Sequence, residues 1–290
     1  MSTVLIANPA AGGGRGARTL ARLTPLLSSR GIRDVRITAR TGDESVLTHA
    51  ALDAGATTII ALGGDGTWSR VAAAIAQAES STPLALLAAG SGNDFVRTLG
   101  LPAHDAAATL SLIDAGRARP IDLGRVDDVM FLNVAGFGFD AHVVRADRGS
   151  RLLPPRMRYL WTALREIARY PGIAASIDGG PRQSFVTLAI ANGRYFGGAF
   201  AIAPGAVIDD GQLDLVRIAN AGLVARTQLL IRAMRGAHVG DPLTQTDRAP
   251  SFRAVFDEAP WFQADGELYR AAAPEVALSV VRSALRLVAP

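Results

Sequence analysis

Two glycine-rich runs, each directly after an apolar stretch typical of a strand, most constrain what this chain can fold into. Gly63–Thr67 follows Thr58–Leu62, and Gly90–Phe95 follows Leu84–Ala89. A strand that runs into such a turn before a helix leaves backbone N–H groups exposed, and these favour a phosphate. Two such turns predict a polyphosphate in the crevice at the carboxyl edge of a parallel sheet. The alternative is that the glycines only permit tight turns.

Carboxylates among these glycines indicate a cation as well. Asp65 and Asp94 would repel a bare phosphate, which favours a magnesium nucleotide, because Mg²⁺ takes a few carboxylates together with phosphate oxygens. All 30 basic residues are arginine, so the lysine of a P-loop or of a protein kinase is missing. A nucleotide must therefore be held by backbone amides, arginines and metal.

The order of predicted elements indicates two domains. Strand and helix signals alternate from Val4 to Ala115, which predicts a doubly wound parallel sheet with helices on both faces. After Pro120–Gly124 short strands dominate, which predicts a mostly antiparallel β-sandwich or barrel. We place a nucleotide-binding α/β domain at residues 1–123 and an acceptor domain at 124–283, with strands at Met130–Val134 and Phe200–Ala203 among others.

Composition narrows the function classes. The chain has 290 residues, is 49% hydrophobic and has no cysteine, so neither a disulfide framework nor a thiolate metal site is possible. We see no signal peptide and no apolar run long enough to span a bilayer, and we expect a cytoplasmic protein. The net charge of +4 and the lack of a nucleic-acid motif argue against a nucleic-acid partner.

An ordered set of motifs gives the chain a family resemblance. Besides the two glycine runs, the set comprises Asn8–Gly12, Phe131–Asp140, Asn192–Gly198, Ala203–Asp214 and Asp265–Glu267. The set resembles the diacylglycerol kinase catalytic family, in particular its soluble bacterial lipid kinases, with a first domain similar to NAD kinases and phosphofructokinases. The resemblance implies ATP- and Mg²⁺-dependent phosphorylation of a lipid alcohol, with the nucleotide in a cleft and residues 284–290 returning to the first domain. Diacylglycerol is the first acceptor expected; a sphingoid base or phosphatidylglycerol stays open.

The resemblance also implies the ATP site. The matching positions are Asn8, Pro9, Ala10, Ala11, Gly12, Thr38, Gly63, Gly64, Asp65, Gly66, Thr67, Trp68, Ser69, Arg70, Ser91, Asn93 and Asp94. By itself, Thr38 reads as a β-former and Ser91 as a turn cap. Arg70 departs from the family, which places an acid there. It either binds phosphate through its fork of donors or marks a member with altered catalysis.

Two metal sites are predicted. Asp65, Asp94, Asp122 and Asp209 fall at strand ends or turns, where a cleft would gather them around Mg²⁺, although each alone could be a turn or cap residue. Val207–Gln212 resembles the family's structural metal loop, which implies ligation by the Asp210 carboxylate and by main-chain oxygens of Val207 and Gln212.

Asp265 and Glu267 form the predicted catalytic pair, with Asp65 acting at the nucleotide. Residues i and i+2 of an extended segment point to the same face, so both acids would meet in a wet cleft. Phosphorylation of an alcohol needs a base for the hydroxyl proton. We assign that role to Glu267, with Asp265 as its partner or substitute. The alternative is a solvent-facing hairpin turn at Asp265-Gly266.

The basic, partly amphipathic segment Arg145–Arg169 suggests contact with an anionic membrane surface, although an ordinary helix with a solvated arginine face fits as well. His142 and Asn133 are lesser functional candidates. A homodimer is possible. Two rival functions stay open: a catalytically silent, nucleotide-binding regulatory protein, and an NAD kinase-like enzyme.

Overall fold

The computed structural model describes residues 2–100, 105–146, 155–198 and 200–290, and in 155–160 it describes the backbone only. The chain forms two compact units. One comprises Met1–Asp122 with Arg282–Pro290, and the other comprises Leu123–Val281. The chain therefore passes between the units twice.

The first unit alternates strands and helices as the sequence predicts. Its elements are β1 (Thr3–Ala7), α1 (Ala11–Ser29), β2 (Asp34–Ile37), α2 (Asp43–Asp53), β3 (Thr58–Gly63), α3 (Asp65–Gln77), β4 (Leu84–Ala88), α4 (Asp94–Thr98) and α5 (Ala106–Asp114).

Four of these strands form a parallel sheet in the order β4-β3-β1-β2, with Leu5 opposite Ile60 and Ile60 opposite Ala85. Strands β1, β3 and β4 are almost wholly buried, because helices cover a parallel sheet on both faces. Leu287, close to the C-terminus, pairs in parallel with Leu84. The turns after β1, β3 and β4 thus emerge at one edge of the sheet.

The second unit is rich in strands. Its elements in chain order are β5 (Ala118–Val126), β6 (Val129–Phe131), β7 (Val134–Gly138), α6 (Phe139–Ala146), α7 (Pro155–Glu166), β8 (Ile173–Ile177), β9 (Gln183–Ala191), β10 (Leu213–Ala219), α8 (Leu223–Ala233), β11 (Thr244–Ala249), β12 (Ser251–Phe256), β13 (Trp261–Ala264), β14 (Glu267–Arg270) and β15 (Glu275–Val288). The first and the last of these strands, β5 and β15, each belong in part to the first unit.

Strand pairing in this unit is antiparallel, with β7 against β9 and β13, and β9 against β8 and β10. Alternate residues of β9 enter two different cores: Leu188 and Ile190 join one that includes Phe137 and Phe262, whereas Ala189 and Ala191 join one beneath the helices. This period of two is what a sheet buried on both faces requires. The predicted pairing of an α/β domain with a mostly antiparallel β-sandwich is confirmed.

Some predicted boundaries were wrong. Phe200–Ala203 contributes only an isolated bridge between Phe196 and Phe200. The predicted strand Met130–Val134 is divided between β6, which ends at Phe131, and β7, which begins at Val134. Arg148 and Arg151 of the basic segment lie outside the described residues. None of the helices within the described ranges is long and apolar enough to cross a bilayer.

Candidate active site

The turns after β3 and β4 lie against each other in the first unit. A Cβ atom added to Gly90 would come 2.5 Å from the Cα atom of Gly64, a contact that real Cβ atoms do not make. The carbonyl oxygen of Gly63 accepts hydrogen bonds from the backbone amides of Ala89, at 2.7 Å, and Gly90, at 3.0 Å. The glycines are therefore required by close backbone packing at the sheet edge.

The loop after β1 completes this edge. Gly12, Gly13 and Gly14 fall within the bounds of α1 but are not helical. Their φ values of 60°, 69° and 87° are left-handed values that glycine adopts without strain. A Cβ atom at Gly12 would lie 2.4 Å from the carbonyl oxygen of Ala89, whereas one at Gly13 would have no neighbour within 4 Å. The loop thus packs on the end of β4 with one side and is open on the other, as a phosphate-contacting loop must be.

Asn8 organises the start of this loop. Its Nδ2 atom donates to Thr67 Oγ1 at 3.0 Å and to Glu44 Oε1 at 3.3 Å, and its Oδ1 atom accepts from the Ala10 amide at 3.0 Å. Its side chain is therefore engaged in holding three segments together.

Arg70, which stands where the family has an acid, forms an ion pair with Glu44. Arg70 Nη1 donates to Glu44 Oε1 and to the Gly66 carbonyl oxygen, each at 3.1 Å. The Glu44 side chain is only 1% exposed. The sequence alone did not single out Glu44, because an acid in the first turn of a helix is ordinarily explained by its favourable interaction with the helix dipole.

Two predicted ATP residues serve the interior. Trp68 is fully buried, and its Nε1 atom donates to the Ala61 carbonyl oxygen at 3.2 Å. Thr38 is buried, and its hydroxyl lies 3.4 Å from the Ala7 carbonyl oxygen. These side chains anchor α3 and the end of β2, so they contribute to the site by supporting its backbone.

Asp65 and Asp94 are linked through their turns. Asp65 Oδ1 accepts from the Phe95 amide at 3.1 Å, and Asp94 is buried with Arg97 Nη1 3.3 Å from its Oδ1 atom. Between them, Asn93 has φ 56°, and its buried Oδ1 atom has no hydrogen-bond partner among the described residues. The two carboxylates therefore stand on adjoining turns of one glycine-lined edge.

Asp122, a predicted magnesium ligand, has a structural partner. It is buried, and its Oδ1 atom accepts from the Ser283 amide at 2.8 Å. Ser283 has φ 50°, a strained value for a non-glycine residue. Asp122 thus fixes the point where the C-terminal strand re-enters the first unit.

Mg²⁺ is the metal that the family resemblance implies for this edge of the sheet. In the described ranges, no group of three or more His, Asp or Glu side chains could hold a metal ion. Mg²⁺ is typically held by one or two carboxylates together with phosphate oxygens and water. Asp65 and Asp94 beside a glycine cradle fit a metal that arrives with a nucleotide.

The predicted metal loop of the second unit contains an arginine partner. Asp210 pairs with Arg248 and accepts from the Gln212 amide at 3.0 Å. Burial raises the pKa of nearby Asp214, and the Arg248 charge lowers it while Asp210 raises it further. Asp209 is exposed. A guanidinium thus stands beside Asp210 where the sequence predicted a metal ion.

Asp265 does not lie in an extended segment, and that prediction was wrong. Asp265 and Gly266 have φ values of 48° and 87° and form the two-residue turn of the β13–β14 hairpin. The Asp265 carboxylate accepts from the backbone amides of Leu132, Asn133 and Val134 at 2.6, 2.9 and 3.0 Å. It ties the hairpin to the start of β7, which makes it a positioning residue.

Glu267 is the other acid of the predicted pair. It opens β14 opposite Ala264 and is partly exposed. The turn beside it is held by Gln263, which is fully buried and whose Oε1 atom accepts from the Gly266 amide at 2.9 Å. Asn133 contributes a buried Oδ1 atom without a partner among the described residues. Glu267 thus stands directly after a turn that Asp265 and Gln263 hold by hydrogen bonds.

A buried acid that sequence reasoning missed lies in the same unit. Burial raises the pKa of Asp140 to about 7, and a hydrogen bond from Thr187 opposes that shift. Asp140 lines a mostly apolar cavity of about 50 Å³ beneath α6, α7 and α8. His142, by contrast, is partly buried and is bonded to Glu166 at 3.1 Å.

Comparisons with known proteins match both units. Residues 2–126 match the model described as the diacylglycerol kinase catalytic domain, and residues 133–289 match the YegS C-terminal NAD kinase beta sandwich-like domain. A diacylglycerol kinase structure from Bacillus anthracis str. Sterne aligns with TM-score 0.79 and 25% identity, over 100% of this chain and 97% of that one.

Curated relatives are described as YegS-like lipid kinases. A Pseudomonas fluorescens protein is 40% identical over 62% of this chain, a match that spans 61% of the relative's own length. A Pseudomonas putida protein is 33% identical over 85% of this chain and 82% of its own. With both domain matches in sequence order, the chain belongs to the YegS-like lipid kinase family.

Proposed function

We propose that this protein is an ATP- and Mg²⁺-dependent kinase that transfers the γ-phosphate to the hydroxyl of a membrane lipid, with diacylglycerol as the first acceptor. The observation that carries the proposal is the edge of the first sheet. Three glycine turns meet there, and Asp65 and Asp94 stand on two of them. Family membership supports kinase chemistry, and the choice of nucleotide and lipid is our inference.

The nucleotide phosphates are held by the glycine turns. Backbone amides replace the missing lysine, because N–H groups at such turns bind anionic oxygens. Asp65 and Asp94 would hold the Mg²⁺ that neutralises charge on the phosphates. Asn8 and the Glu44–Arg70 pair keep the loops in position from behind.

Glu267 accepts the proton of the acceptor hydroxyl. As the hydroxyl oxygen bonds to the γ-phosphorus, the bond from that phosphorus to the β–γ bridging oxygen breaks, ADP leaves, and the hydroxyl proton passes to Glu267. Asp265 positions the turn through the hydrogen bonds that its carboxylate accepts from three backbone amides, and it does not take the proton.

A lipid acceptor requires the enzyme to reach a bilayer. We therefore place the protein in the cytoplasm, peripherally attached at the inner face of the membrane through the basic segment Arg145–Arg169. This location is consistent with basic residues near an anionic leaflet.

The principal rival is a silent nucleotide-binding regulator, which Arg70 motivated. The Glu44 partner of Arg70 weakens that motive, since the inverted charge is neutralised inside the protein. An NAD kinase is disfavoured by the diacylglycerol kinase-like order of motifs. A homodimer stays a prediction.

The test is phosphate transfer from labelled ATP to a panel of diacylglycerol, phosphatidylglycerol, a sphingoid base and NAD. We expect transfer to a lipid, loss of transfer in Asp65→Asn, and normal transfer in the control Asp53→Asn, which changes an exposed acid of α2. ATP binding without transfer to any acceptor would favour the silent regulator, and transfer to NAD alone would replace the lipid assignment.

A further inference from the structure

A strongly basic depression lies on the surface of the second unit. It has a volume of about 710 Å³ and is lined by His142, Arg145, Ala146, Arg165, Glu166 and Arg169. We call these residues the arginine basin. Among the residues that the structure describes, the basin has three guanidinium groups and one carboxylate.

The one carboxylate is already engaged. Glu166 accepts from His142 Nε2 at 3.1 Å and from Arg165 Nε at 2.9 Å, and these bonds, His142 first, lower its pKa. Arg145 and Arg169, both exposed, have no ion-pair partner within the ranges that the structure describes. The basin therefore keeps positive charge available to an anion from outside.

A tryptophan borders the basin. The guanidinium of Arg145 lies 5.1 Å from the ring centroid of Trp261, and that of Arg270 lies 5.7 Å from it. Trp261 is 37% exposed. An adjoining depression contains the acids Asp257 and Glu258, of which Asp257 is paired with Arg182. An amphipathic ring between two cations is suited to a membrane interface.

We infer that the arginine basin and Trp261 bind the phosphate headgroups of acidic phospholipids and dock the protein on an anionic bilayer. Arginine suits this role because its planar fork of donors matches phosphate oxygens. The inference rests on the proposed function for its purpose, which is access to a lipid acceptor, but its test needs no catalysis.

The hairpin links this surface to the proposed base. Trp261 pairs with Arg270 at one end of β13–β14, and Ala264 pairs with Glu267 at the other. Three residues of an antiparallel strand span about 10 Å. A bilayer that contacts Trp261 therefore holds its lipid hydroxyls within roughly one hairpin length of Glu267.

The experiment is co-sedimentation with vesicles in the absence of ATP. One set of vesicles is phosphatidylcholine alone, and the other contains one third phosphatidylglycerol. We expect the double variant Arg145→Ser/Arg169→Ser to bind the anionic vesicles about 25-fold more weakly, since each basic residue near such a surface contributes about a fivefold factor. Arg145→Lys/Arg169→Lys, which keeps the charge, should retain most of the binding.

The matched control is Arg182→Ser/Arg253→Ser, which removes the same net charge from arginines paired with Asp257 and Glu275 in the same unit. We expect it to bind like the native chain. Unchanged binding of the basin variant, or equal weakening in both double variants, would overturn the inference. Turnover of a short-chain acceptor in solution should survive in the basin variant. Absence of turnover in the native chain would count against the proposed function, not against the docking surface.

Discussion

Arg70 and Glu44 form an ion pair in the first unit, with Arg70 Nη1 3.1 Å from Glu44 Oε1. Glu44 Oε2 accepts from the Gly42 amide at 3.0 Å, and Asn8 Nδ2 lies 3.3 Å from Oε1. The carboxylate therefore joins the end of β1 to the first turns of α2 and α3. Because it is buried, each charge depends on the other for its solvation.

Removing one partner of this pair should lower the unfolding free energy more than exchanging the positions of the two charges. We expect Glu44→Gln to lower the unfolding free energy by about 2–4 kcal/mol, since Arg70 would lose the buried carboxylate with which it pairs. Glu44→Arg/Arg70→Glu should recover part of that loss. Urea denaturation measures both. The control Arg40→Ala breaks an exposed pair with Asp43 and should leave the unfolding free energy close to that of the native chain. If the loss in the double variant equalled the sum of the losses in Glu44→Arg and Arg70→Glu measured singly, the two residues would not be coupled.

The packing of Gly64 on Gly90 gives a second prediction. Gly90→Ala places a Cβ atom 2.5 Å from Gly64 Cα, so the two turns must separate. We expect ATP affinity, measured by calorimetry with Mg²⁺, to fall at least tenfold, because the phosphate donors would no longer converge. Gly205→Ala is the control, as its Cβ atom would meet nothing within 4 Å. Native affinity in Gly90→Ala would remove these turns from the nucleotide site.

Much of the first unit was predictable because its signals are local. The segment 58–67 combines an apolar strand, a glycine turn and a helix start in one stretch of sequence, and the structure has these elements in that order. The Glu44–Arg70 pair was not predictable, since its partners are 26 positions apart and neither belongs to a periodic pattern.

In the second unit, long-range pairing decided what the sequence left open. Asp265 and Glu267 would share a face only in an extended strand, but amide donors from Leu132–Val134 hold Asp265 in a turn. Those donors lie more than 130 positions away. The altered pKa of Asp140 was also not predictable from the sequence, because it comes from burial beneath helices and not from any sequence neighbour.

Asp140 predicts a pH dependence of stability. Its folded pKa is about 7 against 3.8 for an ordinary Asp. A raised carboxyl pKa means that the folded state holds a proton that the unfolded state releases. The contribution of Asp140 to the unfolding free energy is therefore fully present below pH about 4 and is lost as the pH rises towards 7.

We expect Asp140→Asn to gain about 2–3 kcal/mol relative to the native chain between pH 5 and pH 8, since one pKa unit corresponds to about 1.4 kcal/mol. Denaturation at both pH values measures the difference, and Asp128→Asn, which changes an exposed acid, is the control. A difference that does not change with pH would mean that Asp140 is ionised in both states.

The last prediction separates the two acids of the β13–β14 hairpin. If Glu267 accepts the proton, Glu267→Gln should lower kcat by about 10²–10⁴, with ATP affinity unchanged. Asp265→Asn should instead destabilise the protein by about 1–3 kcal/mol, because an amide replaces an acceptor of three backbone N–H groups. The kcat of Asp265→Asn should fall less than that of Glu267→Gln, because this change disturbs the hairpin but leaves the base in place. Steady-state kinetics with calorimetric melts on both variants measure the split. A stable Asp265→Asn with the larger kcat loss would transfer the base to Asp265, and near-native rates in both would remove this turn from the chemistry.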